Sequence, residues 1–372
     1  MRTFGVEEEL LLVSVRSGVP VAVAPAALVD APTGGDVPPL SAEIQQEMLE
    51  TQTWPRDNLT DLMTDIVAGR TLADALAQEH GARAAALAMS PLRVRPHVTD
   101  NPRYAAMLAR FGSTARNTMV CGCHVHVSIE SREEGVAVLD RIRTWLPLLL
   151  ALSANSPFSA GADTGYASFR FASWHQWQSA GPTDVFGSVE AYDRFERMLV
   201  GTEVILDYGM LYLDARLSHK QPTLEVRVAD VCLDARDTAV VAALVRALVD
   251  TAAADWRAGV PPVEMPSAGL RLASWQAALT GVNGRLPHPV HGSGVPAADA
   301  IEALTAHVDA ALGRNGDREE VQAGVDRILT LGGGADRQRE AFARRGRMRD
   351  VVFAAVEATH TFPSQDDGRV VA

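Results

Sequence analysis

Three short segments put ionisable side chains at spacings that could hold a cation or stabilise negative charge. The first is Glu7-Glu8-Glu9, inside residues 2–15, which read as a β-strand. Side chains alternate faces along a strand, so Glu7 and Glu9 share one face and Glu8 turns to the other with Val6 and Leu10. Two carboxylates on one face repel, and a cation would offset them. An exposed acidic edge strand explains so short a pattern equally well. The second segment is Cys121-Gly122-Cys123-His124-Val125-His126, within a β-branched strand at 119–129. It resembles a zinc site, but alternation puts Cys121 and Cys123 on the face of Val125 and Val127. His124 and His126 take the opposite face, so the four groups do not close one tetrahedral site. The cysteines read as small core residues, and the paired histidines as a candidate site. The third segment is Thr223-Leu224-Glu225-Val226-Arg227-Val228. Glu225 and Arg227 share its polar face. That face reads as ordinary solvated sheet unless it also carries Glu7, Glu9 and His124.

Arginines add a second chemistry. Arg170 ends the Gly/Ser-rich run Asp163-Thr164-Gly165-Tyr166-Ala167-Ser168-Phe169-Arg170, and Arg216 lies in Asp214-Ala215-Arg216-Leu217-Ser218. Guanidinium binds carboxylate or phosphate bidentately, although a single arginine is more often a surface residue. Gly332-Gly333-Gly334 precedes Ala335-Asp336-Arg337-Gln338-Arg339 and reads as helix punctuation rather than an anion site. Of 34 basic residues only Lys220 is a lysine. No Gly-x-x-x-x-Gly-Lys loop and no G-x-G-x-x-G turn after a strand is present. Any nucleotide phosphate must therefore be held by arginines and carboxylate-bound metal ions.

The elements that must position these groups follow from periodicity. Residues 16–25 read as a turn into a return strand, 31–40 as loop, and 43–53 as strand or helix. Apolar residues at Leu59, Leu62, Ile66, Leu72 and Leu76 predict a helix within 57–90. Further helices are expected at 102–112, 132–154, 190–201, 236–256, 299–312 and 337–358, strands at 203–217 and 222–231, and loop at 158–187. The whole reads as α+β, an antiparallel sheet with helices packed on one face. One domain is expected over residues 1–362, with 363–372 a disordered tail.

Composition bounds the rest. The chain has 372 residues, 47% hydrophobic and 22% charged, enough for a large core. A net charge of −12 argues against nucleic-acid or anionic-membrane partners. Three cysteines with no leader argue against a disulfide framework. The longest apolar stretch, Trp145 to Ala154, is too short to span a bilayer. A cytoplasmic location is expected, and a homodimer is a prior for such enzymes.

Taken in order, the segments resemble the type 2 glutamate–cysteine ligases, or carboxylate–amine ligases. The resemblance runs through Gly5 to Leu10, Met48-Leu49-Glu50, His124 to Val127, and Ala151 to Pro157. It continues through Asp163 to Ser168, Arg216-Leu217-Ser218, Thr223 to Val228 and Ala335 to Arg339. It implies a glutamine synthetase-like fold, with the antiparallel sheet curved into a funnel. It implies ATP and Mg2+, with Glu7, Glu9, Glu50, His124 and Glu225 as metal ligands. Glu50 rests on the resemblance alone, since alternation does not choose between Glu47 and Glu50. Arg170, Arg216 and Arg227 would serve an acyl phosphate and the substrate carboxylate, and Arg216, Arg227 and His126 the nucleotide. The implied reaction joins the γ-carboxylate of glutamate to cysteine or another amine. Two alternatives are a metal-dependent hydrolase using His124, His126 and the carboxylates, and a non-catalytic binder of nucleotide or amino acid. The chain departs from the family at Ala88-Met89-Ser90-Pro91-Leu92, at Gln178 after Trp174-His175-Gln176-Trp177, and at Ser128. These departures are expected near the substrate mouth.

Overall fold

The computed structural model describes residues 1–32 and 39–362. The expected tail at 363–372, and most of the expected loop at 31–40, lie outside the described residues.

The organising element is β1, Phe4–Ser14. Around it stand β2 (Leu40–Ala42), β3 (Met48–Gln52), β4 (Ala82–Ala85) and β5 (Gly122–Ser128). A two-residue pair, β6 (Phe158–Ser159) and β7 (Ala162–Asp163), sits apart, and β8 (Ala215–Leu217) and β9 (Thr223–Asp230) complete the main sheet. That sheet has the order β2-β3-β1-β5-β9-β8 with every pairing antiparallel. Leu11 pairs with Met48 on one edge and with Ala85 on the other, so β4 continues the edge that β5 leaves.

The helices are α1 (Ala24–Val29), α2 (Leu59–Glu79), α3 (Pro102–Phe111), α4 (Ser113–Asn117), α5 (Arg132–Ile142) and α6 (Leu146–Ser153). They continue with α7 (Phe169–Trp174), α8 (Val189–Gly201), α9 (Ala235–Arg257) and α10 (Ser267–Thr280). The last four are α11 (Ala297–Asn315), α12 (Arg318–Leu331), α13 (Gly334–Arg345) and α14 (Met348–Thr359). None is long and apolar enough to cross a membrane.

Alternation explains why the helices gather where they do. Phe4 and Val6 of β1, Cys123, Val125 and Val127 of β5, and Leu224, Val226 and Val228 of β9 form one apolar sheet face. Burying each such side chain contributes about 1.5–3 kcal/mol, so this face takes α2, α5, α6 and α9 as cover. The Ala/Val/Leu content of α9 suits it to be buried along most of its length, and the Asp234 carboxylate caps it by accepting from the Arg236 N–H. The opposite face keeps the polar residues.

Several elements differ from the periodicity reading. The segment 43–53 is the strand β3, and the expected helix over 57–90 stops at Glu79 and is followed by β4. Gly81, at φ +71°, makes the turn between them. The return strand at 16–25 is a single bridge, Val13 to Pro20, before α1. Only Ala215–Leu217 of the strand expected over 203–217 pairs with the sheet, and α7 interrupts the expected loop at 158–187. The helices α10 and α12 were not anticipated. The helix expected at 337–358 is two, because Gly346 takes the left-handed conformation at the end of α13.

Candidate active site

Register places the charged groups in rows across the polar face. Glu7 of β1 lies opposite Gln52 of β3 and His124 of β5. Glu9 lies opposite Glu50, and Glu50 opposite Ser41 of β2. His126 lies opposite Glu225 of β9, and Glu225 opposite Arg216 of β8. The β5–β9 register shifts between Cys123 and Val125, an irregularity that falls beside His124. One strand each of Glu-x-Glu, His-x-His and Glu-x-Arg thus converges because the parity of all three points the same way.

The local geometry is a dense charge network. Both histidines flank Glu7, with His124 Nδ1 3.4 Å from Oε2 and His126 Nε2 3.4 Å from Oε1. His126 Nδ1 lies 3.0 Å from Thr223 Oγ1. Arg216 Nε donates to Glu225 Oε2 at 2.8 Å, and Arg227 Nη1 also pairs with Glu225. The Gly122 N–H donates to Glu9 Oε2 at 2.6 Å. Glu50 Oε1 accepts from Ser41 Oγ at 2.8 Å and Gln52 Nε2 at 2.7 Å.

Electrostatics split these carboxyls into two kinds. Burial disfavours the Glu7 carboxylate, yet the two imidazoles hold its pKa well below the usual range. Burial likewise works against the Glu225 carboxylate, and Arg227 and Arg216 overcome it and hold that pKa far down. Glu50 goes the other way, pushed up to about 7 by burial and by Glu7 and Glu9 nearby. Glu43 is raised well above its ordinary value by burial and by Glu9 and Glu50. His124 is lowered by burial and by Arg227, which favours the neutral imidazole that can ligate a metal.

Two donor groups could hold a cation: Glu7, His124 and Glu225, and Glu9, Glu50 and His124, each with ligand atoms within 4.8 Å of one another. All five residues are those the sequence proposed. Carboxylate oxygens dominate both sets, which suits Mg2+ or Mn2+ better than a thiolate-seeking ion. His126 belongs to neither group. These groups line a cavity of about 460 Å3. Its aromatic and thioether wall comes from Tyr104, Met107, Trp174, Trp177 and Tyr212. Arg227 Nε and Trp177 Nε1 are buried without a hydrogen-bond partner among the described residues, so the wall holds donors that a ligand can use.

The structure resolves Glu47 against Glu50. Glu47 is buried and bonded to His97, its Oε1 2.6 Å from Nδ1, away from the cavity, whereas Glu50 lines it. Arg170 is placed differently from Arg216 and Arg227. It does not line this cavity but sits beside it, its Nη1 3.8 Å from buried Asp230 and its backbone N–H donating to Ser156 Oγ. Asp230 also accepts from Ser156 and Ser168 hydroxyls at 2.8 Å each, so the Asn155-Ser156 and Ala167-Ser168 motifs serve to anchor Arg170. A Cβ on Gly122 would lie 2.3 Å from Arg170 Nη2, so glycine there makes room for this guanidinium. The Gly332–Gly334 run is helix punctuation: the Asp336 carboxylate accepts from the Gly333 N–H at 3.0 Å. Of the three family departures, only the Trp174–Gln178 loop supplies cavity-lining residues.

Periodicity missed Glu43, Tyr104, Met107 and Tyr212. Ser41-Ala42-Glu43 carries the parity that marks Glu43, but β2 is too short to announce itself. The other three reach the cavity through tertiary packing.

The cysteines are free and buried, none belongs to either donor group, and burial raises all three thiols well above their ordinary value. Replacing Cys121 and Cys123 together by alanine should cost about 1–3 kcal/mol of stability through lost core volume. Catalytic turnover should stay within about twofold, because neither thiol faces the cavity. Loss of turnover in a variant with a wild-type circular dichroism spectrum would contradict this.

The whole chain can now be set beside known proteins. Residues 3–357 match the model of "Glutamate-cysteine ligase family 2(GCS2)". The chain belongs to this family. It is 47% identical over 378 aligned residues to a Paenarthrobacter aurescens protein bearing the provisional name glutamate–cysteine ligase 2-1, covering 100% of this chain and 98% of that one. It is 48% identical to a provisionally named glutamate–cysteine ligase 2 of Streptomyces coelicolor, covering 96% and 99%. Among solved structures, the glutamate–cysteine ligase of Francisella tularensis in complex with AMP superimposes with a TM-score of 0.69. That match covers 97% of this chain and 89% of that one at 13% identity, a likeness of fold. The expected architecture, an antiparallel sheet with helices, is therefore the fold of this family, and the sheet does not close into a barrel.

Proposed function

We propose that this chain is an ATP-dependent carboxylate–amine ligase that activates the γ-carboxylate of glutamate as an acyl phosphate and couples it to the amine of cysteine. The observation that carries the reading is the cavity itself. Two carboxylate–histidine groups fit for a hard divalent cation adjoin two arginines on one sheet face.

Glu7, Glu9, Glu50, His124 and Glu225 would hold Mg2+, whose charge offsets that of the ATP phosphates when it is bound. The chain's own residues do the positioning. Arg216 and Arg227 share one carboxylate, Glu225, and so carry a surplus positive charge for the transferred phosphoryl group. His126, held at Thr223, faces the same floor and would reach the nucleotide. In the first step a substrate carboxylate oxygen bonds to the γ-phosphorus as the bond to the ADP oxygen breaks. In the second, the amine nitrogen bonds to the acyl carbon, phosphate departs with the former carboxylate oxygen, and the amine loses a proton. No covalent bond to the protein is needed, which agrees with the burial of all three thiols.

The test is ADP release from purified protein with ATP, Mg2+ and glutamate, with and without cysteine. Release that requires both amino acids supports the reading. Release with glutamate alone and no gain from cysteine keeps the phosphoryl chemistry and changes the acceptor. No release under any condition sinks it.

The raised Glu50 gives a pH prediction for the metal. A cation binds the carboxylate, so the proton on Glu50 must leave first. Mg2+ affinity should rise with pH through about 7, the value to which Glu50 is pushed. Below that pH, binding should release protons, measurable by calorimetry in two buffers of different ionisation enthalpy. An affinity flat across this range would refute the role of Glu50.

A further inference from the structure

The cavity is electrically two-sided. Glu7, Glu9, Glu43 and Glu50 line the half formed by β1, β3 and the end of β2, while Arg216, Arg227 and Lys220 line the half formed by β8, β9 and their connecting turn. Most of its cations are already committed to a carboxylate. Arg216 and Arg227 share Glu225. Arg103 donates to both oxygens of Asp207, at 2.7 Å and 2.9 Å. The imidazoles of the cavity also face carboxylates: His124 and His126 flank Glu7, and His219 Nε2 lies 3.1 Å from Glu196. Lys220 differs. Among the described residues no carboxylate lies within ion-pairing distance of its ammonium, although it is part of the cavity lining.

Lys220 is exposed, on a turn held by backbone hydrogen bonds. Ser218 Oγ accepts from the backbone N–H groups of both Lys220 and Gln221 at 3.3 Å, which folds the turn so that Lys220 comes to the cavity rim. It is also the only lysine in the chain. An unpaired lysine on open surface is solvated from all sides and signifies nothing. At the rim of a cavity, in a protein of net charge −12, the situation changes. The net charge repels an approaching anion at long range, and an uncommitted cation at the cavity entrance offsets that repulsion locally.

We propose that Lys220 is the anion-docking residue of this cavity: its ammonium receives the free oxyanion of an incoming substrate, a carboxylate or a phosphate. On the ligase reading, these are the non-reacting carboxylate of the amino acid or the polyphosphate of ATP. The docking rests on that reading only for the identity of the ligand.

A single lysine makes the test direct. The purified chain is treated with an amine-acylating reagent, and modification of Lys220 is followed by peptide mass spectrometry against the chain's own α-amino group as internal reference. Glutamate and ATP with Mg2+ are added separately at matched ionic strength. Acylation of Lys220 should slow by about tenfold when the docking substrate is present at about ten times its Kd. Protection by glutamate assigns a carboxylate, and protection by ATP assigns a phosphate. Protection by neither, in a preparation that releases ADP, overturns the proposal and leaves the ligase reading intact. Protection without ADP release keeps the docking site and sinks the ligase reading. Lys220→Gln should raise KM for the protecting substrate about tenfold with kcat nearly unchanged, and Lys220→Arg should restore part of the loss. An unchanged KM in Lys220→Gln also overturns it.

Discussion

Glu225→Gln should lower ADP release by at least about a thousandfold, some 4 kcal/mol of transition-state stabilisation, while the protein stays folded. The size follows from the position of this side chain. Glu225 is 3% exposed and is the one carboxylate shared by Arg216 and Arg227. It also belongs to a donor group with Glu7 and His124. A glutamine is nearly the same size, so packing is kept, but it carries no charge. A cation held there would lose an anionic ligand, and the two guanidiniums would be left to repel each other. A melting curve separates this from unfolding. Should the glutamine variant fail to fold, Glu7→Gln tests the same donor group at a residue whose side chain is 27% exposed. A variant that folds and retains activity within tenfold of the parent would remove Glu225 from the machinery.

The largest effect on stability should come from Arg70→Ala. Arg70 is fully buried, and it donates to both oxygens of buried Glu8, at 2.6 Å and 2.8 Å. It also donates to the carbonyls of Cys232 and Leu233, and Thr238 Oγ1 donates to Glu8 at 2.6 Å. One cluster therefore ties β1, α2 and the entry to α9 beneath the active-site strands. Removing the guanidinium strands a buried carboxylate and two carbonyls, which costs about 3–5 kcal/mol. In a chain of this size the melting temperature should fall by about 4–6 °C. The double replacement Glu8→Gln with Arg70→Met should recover part of it, because no bare charge then remains buried. A loss below about 1 kcal/mol in Arg70→Ala, measured by denaturant unfolding, would show that the cluster is not what holds these elements together.

The contrast between Glu8 and its neighbours shows how far strand periodicity carries. Alternation along one strand assigned Glu7 and Glu9 to one face and Glu8 to the other, and the structure has them so. The same rule took Cys123 into the core and turned the two histidines into the cavity. These are properties of one extended backbone, and they need no knowledge of what packs where. Ordered motifs then matched a family closely enough to name the donor set. Periodicity failed where elements are short or their stripe is weak. α10 mixes exposed Leu272 and Trp275 with buried Leu270 and Ala277, which blurs its apolar face, and β4, buried in its pairing with β1, reads as the end of α2.

By itself, then, the sequence determined the faces of β1, β5 and β9, the acid–histidine–arginine chemistry on them, and the exclusion of a Lys-bearing phosphate loop. Only the tertiary structure decided that these three faces coincide, because antiparallel register, including the shift at Cys123, is set between strands far apart in the chain. It supplied the physical ground for Glu50 over Glu47, which alternation left open: His97 captures Glu47. It set Arg170 beside the cavity rather than in its lining, where Asp230 and the space beside Gly122 hold it. And it left Lys220 at the rim with no carboxylate partner among the described residues, which depends on where the surrounding carboxylates have gone.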